Sequence, residues 1–176
     1  MKKLLIVVDM QKDFVDGALG SGEAVAIVEN VVNKIRTFRG DVIVTYDTHG
    51  ENYMQTQEGA HLPVPHCIKG TPGWELDAKV QAALEDRVYC SVEKPTFGST
   101  ALLEIIEATY DPADLEIQLI GLCTDICVVS NALLLKAKFP ETPVSVDASC
   151  CAGVTVESHE AALLTMKMCQ INVVGQ

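Results

Sequence analysis

No part of this chain is apolar over anything like the roughly 20 residues that a membrane span requires, although 48% of its residues are hydrophobic. Internal repeats, low-complexity tracts and Gly/Ser/Pro-rich linkers are missing as well, so the 176 residues read as a single domain over 1–176 with a sizeable core. Positive charge is scarce: 13 Lys and Arg stand against 24 Asp and Glu, a formal net charge of −11. That balance argues against nucleic acid or an anionic membrane surface as a partner. The two lysines and apolar run at the start resemble a secretion signal only superficially. Asp9, Lys12 and Asp13 interrupt the run and no small-residue cleavage site follows, so it reads as a first strand and the expected location is cytoplasmic. The seven cysteines do not have the spacing of a small-domain disulfide framework, and reduced thiols are expected.

What is present is an alternation of short apolar runs and helical patterns. Leu4–Val8, Asp41–Tyr46, Val88–Val92, Leu115–Ile120, Pro143–Val146 and Ile171–Val174 read as strands. Glu23–Phe38, Trp74–Leu84, Ser99–Ala108, Ile126–Lys138 and Glu157–Met168 read as helices, with Met10–Gly22 and Gly50–Gly73 as loops. The strands are apolar end to end, as in a parallel sheet buried on both faces. The expected fold is therefore a three-layer α/β/α, Rossmann-like domain with a mostly parallel six-stranded sheet.

Functional side chains of such sheets gather at the carboxyl ends of the strands. Asp9, Asp47 with His49, Lys94, the segment Cys123–Cys127 and Asp147 all follow or end strands and should share one rim. Cys127 falls at the first turn of a helix, where orphan N–H groups and the helix dipole favour a thiolate and can hold an oxyanion. Asp9 can take and return the thiol proton, and Lys94 can pair with both groups, a combination suited to amide hydrolysis through a thioester. The alternative for Asp9 and Lys94 is a core-edge ion pair beside a buried thiol. A second cluster comprises Asp47, His49, Glu58, His61 and His66; three of the four histidines lie between residues 49 and 66. Imidazole with carboxylate suits Zn²⁺, Fe²⁺ or Mn²⁺, and surface-loop histidines are the competing reading. Trp74, Tyr53, Phe14 and Phe97 are candidates for an aromatic ligand pocket. Cys67, Cys90 and Cys169 are assigned to packing, and His159 to a solvent-facing position.

Five segments, in order and each at a strand end or in the loop that follows, resemble the isochorismatase-like superfamily of cysteine hydrolases and its nicotinamidase-like branch. They are Val7–Phe14, Asp47-Thr48-His49, His66–Gly73, Lys94–Ser99 and Gly121–Val128. The resemblance implies Asp9, Lys94 and Cys127 as a catalytic triad. It also implies a cis peptide between Leu122 and Cys123, and an oxyanion hole at the N–H groups of Cys123 and Cys127. It implies Asp47, His49 and His66 as ligands of a divalent metal, with zinc expected ahead of Fe²⁺ or Mn²⁺ and Glu58 preferred to His61 as the fourth ligand. Phe14, Phe97 and Leu122 are the expected substrate contacts, Phe97 standing where a tyrosine is often found. The implied reaction is nicotinamide and water to nicotinate and ammonia; the alternative is hydrolysis of another small amide or N-carbamoyl compound. A homo-oligomer is expected by the same resemblance.

Overall fold

The computed structural model describes every residue from Met1 to Gln176. Six strands form one sheet: β1 (Lys2–Val8), β2 (Asp41–Asp47), β3 (Cys90–Lys94), β4 (Leu115–Leu122), β5 (Val144–Ala152) and β6 (Asn172–Val174). Their order is β3-β2-β1-β4-β5-β6 and every pairing is parallel. Side chains alternate between the faces of a strand, and here both sets are apolar. Leu4, Ile6 and Val8 of β1 enter one core layer, while Leu5 and Val7 enter the other. The first layer is closed by α5 (Thr100–Thr109), α6 (Val129–Lys138) and α7 (Val156–Met168). The second is closed by α2 (Gly22–Thr37) and α4 (Ala78–Leu84), with Val15 of the short α1 (Lys12–Val15).

Local chemistry sets the helix ends. Ser21 caps α2 by accepting from the Ala24 N–H, Asp77 caps α4 through Lys79 and Val80, and Ser99 caps α5 through Leu102. The Asp77 cap explains one of two departures from the sequence expectation. The helix expected from Trp74 begins only at Ala78, after a 3₁₀ turn at Pro72–Trp74. The loop expected over Met10–Gly22 contains the single helical turn of α1. The long loop after β2 likewise holds one short helix, α3 (Gln57–His61), capped by Thr56.

Strand order reverses direction from the chain between β1 and β4, which is where open parallel sheets form their binding crevice. Two backbone features sit at this crevice. Asp9, directly after β1, has φ +47, a left-handed conformation that a non-glycine residue seldom holds. Gly121, paired with Val8, has φ +117, and a Cβ there would lie 2.1 Å from the Val8 carbonyl oxygen. Only glycine lets β4 run this close to β1 in that conformation.

The third strand lies two residues later than the sequence suggested: Val88 is 97% exposed, whereas Lys94 is the register partner of Asp47. A larger correction concerns Asp147. It does not end a strand at the rim but lies within β5, opposite Val174 of β6, because β5 bulges between the Leu119–Val146 and Gly121–Cys151 pairs and continues to Ala152. Its carboxylate turns to α2, where Lys34 Nζ stands 2.6 Å away. Strands disfavour Asp, and this partner is what allows it here.

Candidate active site

The carboxyl ends of β1, β2 and β3 and the turn after β4 contribute to one buried polar cluster. Asp9 follows β1, Asp47 and Lys94 end β2 and β3, and Cys127 lies in a π-helical turn (Thr124–Val128) between β4 and α6. Asp9 and Lys94 are fully enclosed and Cys127 is 4% exposed. Lys94 Nζ lies 2.6 Å from Asp9 Oδ2 and 3.4 Å from Cys127 Sγ, and donates to the Thr96 carbonyl at 3.0 Å. The other Asp9 oxygen accepts from the Thr45 hydroxyl at 2.6 Å. A buried charge needs such partners, and Asp9 and Lys94 supply them to each other.

Burial pushes the Cys127 thiol well up, the Asp9 charge adds to this, and Lys94 opposes it. Burial would lower Lys94, but the neighbouring carboxylates, Asp9 first and then Asp47, outweigh it, so the ammonium stays charged. Burial also raises Asp9, against the pull of Lys94. Burial and the Asp9 charge thus favour the protonated thiol over the thiolate at rest.

The second cluster adjoins the first. His49 Nε2 lies 2.9 Å from Asp47 Oδ2 and 3.6 Å from Glu58 Oε1; His66 Nε2 lies 3.4 and 3.5 Å from the same two oxygens. One ligand atom from each of Asp47, His49, Glu58 and His66 falls within 4.8 Å of all the others. Tetrahedral bonds of about 2.0–2.2 Å separate neighbouring ligand atoms by roughly 3.3–3.6 Å, so three of these four distances already fit a divalent cation. The His66 Nδ1–H donates to the Val64 carbonyl at 2.8 Å, which leaves Nε2 as the lone-pair nitrogen facing the cluster. Tyr53, 1% exposed, packs edge-on against both imidazoles at 4.9 and 5.0 Å. His61 is turned away, its Nδ1–H donating to the Gln57 carbonyl.

The aromatic and apolar candidates divide. Phe14 packs on His66 with ring centroids 5.5 Å apart. The Phe97 ring is 43% exposed, and it is the Phe97 carbonyl that is tied to the site, by Asn131. Leu122 is corrected as a side-chain contact: strand alternation sends it into the core beneath α2, and only its backbone, joined to Cys123 by a cis peptide, borders the site. Trp74 stacks on Tyr46 and donates to the Thr48 hydroxyl at 2.9 Å, outside both clusters. Cys90 and Cys169 are exposed rather than packed, and His159 is no free surface residue, its Nδ1 lying 2.7 Å from the Thr124 hydroxyl.

Two supporting side chains escaped the sequence reading. Gln11 is fully buried; its carboxamide accepts from the Asp47 N–H at 2.8 Å and donates to the carbonyls of Asp47 and Trp74 at 2.9 and 2.8 Å. Asp13 accepts from the Cys67 N–H at 2.8 Å, anchoring the segment beside His66, where Cys67 has φ +46. Both lie in the Val7–Phe14 segment, and what sets them apart is the partner each side chain finds, Gln11 fully buried and Asp13 half-buried.

Comparison with known proteins agrees with this geometry. Residues 3–175 match the isochorismatase domain. An isochorismatase family protein of Bacillus subtilis, PncA, is 35% identical over 144 residues, covering 76% of this chain and 78% of its own. The crystal structure of nicotinamidase/pyrazinamidase PncA from Bacillus subtilis superposes with a TM-score of 0.85 at 28% identity, covering 99% of this chain and 100% of that one. The pyrazinamidase of Pyrococcus horikoshii, in a complex with zinc, gives 0.79 at 27% identity with full coverage of both chains. With the domain match spanning nearly every residue and the site standing at the sheet's switch point, the chain belongs to the isochorismatase family.

Proposed function

We propose that the chain is an amidohydrolase that converts nicotinamide to nicotinate and ammonia, with Asp9, Lys94 and Cys127 as its catalytic residues. The observation that carries this reading is a thiol and a carboxylate both in contact with one buried ammonium, directly beside a two-His, two-carboxylate cluster. Solved structures named nicotinamidase or pyrazinamidase share the fold over the whole chain, which supports the same substrate class.

In this mechanism Asp9 removes the Cys127 proton and Sγ attacks the carboxamide carbon, Lys94 offsetting the negative charge. The N–H groups of Cys123 and Cys127 hold the resulting oxyanion. Asp9 returns its proton to the departing nitrogen, releasing ammonia and leaving a thioester on Cys127. Asp9 then deprotonates a water, which attacks the thioester; the acid is released and the thiol reforms. Asp47, His49, Glu58 and His66 would hold a divalent metal, zinc in our assignment, which when bound would supply Lewis acidity toward the pyridine ring. Phe14, against His66, is the side chain we assign to the substrate ring, with Phe97 as a lesser contact.

We assign residues 1–176 to one domain, in keeping with the matched range. The seven free cysteines suit the reducing cytoplasm, and a homo-oligomer is part of the same proposal. The test is ammonia release from nicotinamide by purified protein, before and after chelation and metal restoration, with Cys127→Ala alongside. Release that chelation stops, metal restores and Cys127→Ala lacks is the expected result. A metal-loaded, folded protein that leaves nicotinamide intact but cleaves a carbamoyl compound would move the assignment to the alternative substrate class.

A further inference from the structure

We propose that Asn131 is a positioning residue that fixes the lysine-bearing loop against the nucleophile; the role rests on the reading of Cys127 and Lys94 given above. Asn131 lies four residues after Cys127, near the start of α6, and is 1% exposed. Asparagine is a poor helix former and a burdened core residue unless its amide is satisfied. Here the amide is fully engaged, and its partners come from two elements. Its Nδ2 donates to the Cys127 carbonyl at 2.8 Å and to the Phe97 carbonyl at 3.1 Å, while Oδ1 accepts from the Ser99 N–H at 3.0 Å.

The loop so held runs from Lys94, at the end of β3, to Ser99, the cap of α5. Lys94 donates within this loop to the Thr96 carbonyl. The loop also lies flat on α6, since a Cβ on Gly98 would stand 2.5 Å from the Leu134 side chain. One carboxamide thus links the peptide of the nucleophile to the segment that seats its cation. A lysine on a four-carbon stem holds a point-charge position only when its surroundings are fixed. Displacement of catalytic groups by about 1 Å lowers rates by roughly 10²-fold.

Asn131→Asp keeps the shape and the acceptor oxygen but removes both donated bonds, and Asn131→Ala removes all three. Asn131→Thr retains one hydroxyl donor and one acceptor. With nicotinamide as substrate, the Asp and Ala variants should keep metal content and KM within about two-fold of wild type and lose kcat by roughly 10- to 100-fold, while Thr recovers part of that loss. A readout independent of substrate is carbamidomethylation of Cys127 by iodoacetamide, resolved by peptide mass spectrometry, with the exposed Cys90 and Cys169 as internal references. The Cys127 rate should fall several-fold in Asp and Ala relative to those references. Folded variants whose kcat and Cys127 alkylation stay within about two-fold of wild type, with only thermal stability reduced, would overturn the proposal. If the wild-type protein releases no ammonia, the substrate reading fails by itself, and the alkylation ratio alone decides the role of Asn131.

Discussion

Lys94 Nζ stands 3.6 Å from Asp47 Oδ1, and the two residues are register partners across the β2–β3 ladder. The candidate metal cluster and the Asp9–Lys94–Cys127 group therefore share a wall, with Asp47 in the first and in contact with the second. Asp47→Asn should lower metal content and also lower kcat in a way that excess metal does not reverse. His49→Ala and Glu58→Gln, which touch only the cluster, should weaken metal binding by roughly 10- to 100-fold and raise KM, with activity returning as metal is added. Kinetics across a metal titration separate the two patterns. Full recovery of kcat in metal-saturated Asp47→Asn would show that the shared wall has no consequence for the chemistry.

Activity and stability should part company within the triad. Cys127→Ala removes one small, uncharged buried group and should abolish turnover while shifting the unfolding midpoint only slightly. Lys94→Ala instead leaves the Asp9 carboxylate buried without its counter-charge. Removing one partner of a buried pair is destabilising by about 3–5 kcal/mol. Urea denaturation of the two variants should differ by about that amount; equal stabilities would mean that Asp9 is protonated, or otherwise compensated, when Lys94 is gone.

These contrasts show which parts of the molecule can be read from residue order. Apolar strands followed by Asp9, Asp47 or Gly121 mark both the sheet and the rim, because burial on two faces leaves little choice of residue and polar groups must wait for the strand end. The helix at Glu23–Phe38 is equally legible from its stripe, and α2 covers nearly the same residues. Asp147 misled for the reverse reason: a charged residue inside a strand is legible only if its partner is known, and Lys34 lies far away in sequence. Leu122 is expected as a substrate contact, but strand alternation turns its side chain into the core. Gln11 and Asn131 act through carboxamides whose partners are mostly backbone groups of distant segments, and backbone partners leave no mark in the sequence.

The Gln11 arrangement has its own consequence. Gln11→Leu keeps a similar volume but strands the Asp47 N–H and takes a donor from two carbonyls. Each unsatisfied buried group is destabilising by about 1–3 kcal/mol, so with three groups affected a loss of at least about 3 kcal/mol is expected, together with weaker metal retention because Asp47 is no longer fixed. Gln11→Glu keeps the acceptor for the Asp47 N–H and should lose less than Leu in metal retention. Chemical denaturation and metal analysis check both statements. A Leu variant as stable as wild type would indicate that the backbone of Asp47 finds other partners.

Lys34 and Asp147 provide a pH signature that lies away from the site chemistry. Burial alone would raise the Asp147 carboxyl, but the hydrogen bonds from Lys34 and Ser149 and the Lys34 charge outweigh it and hold the carboxyl below its ordinary value of 3.8. A carboxyl depressed in the native state binds fewer protons than it does in the unfolded chain, so this contribution is complete above the unfolded value. It declines as pH falls from about 4 and is lost once the native group is itself protonated. Asp147→Asn should therefore be less stable than wild type at neutral pH, with the difference narrowing steadily below about pH 4. Urea unfolding of both proteins from pH 7 to pH 3 measures that difference directly. A gap that stays constant over the whole range would mean that the mutation acts through packing in β5 and not through the charge of Asp147.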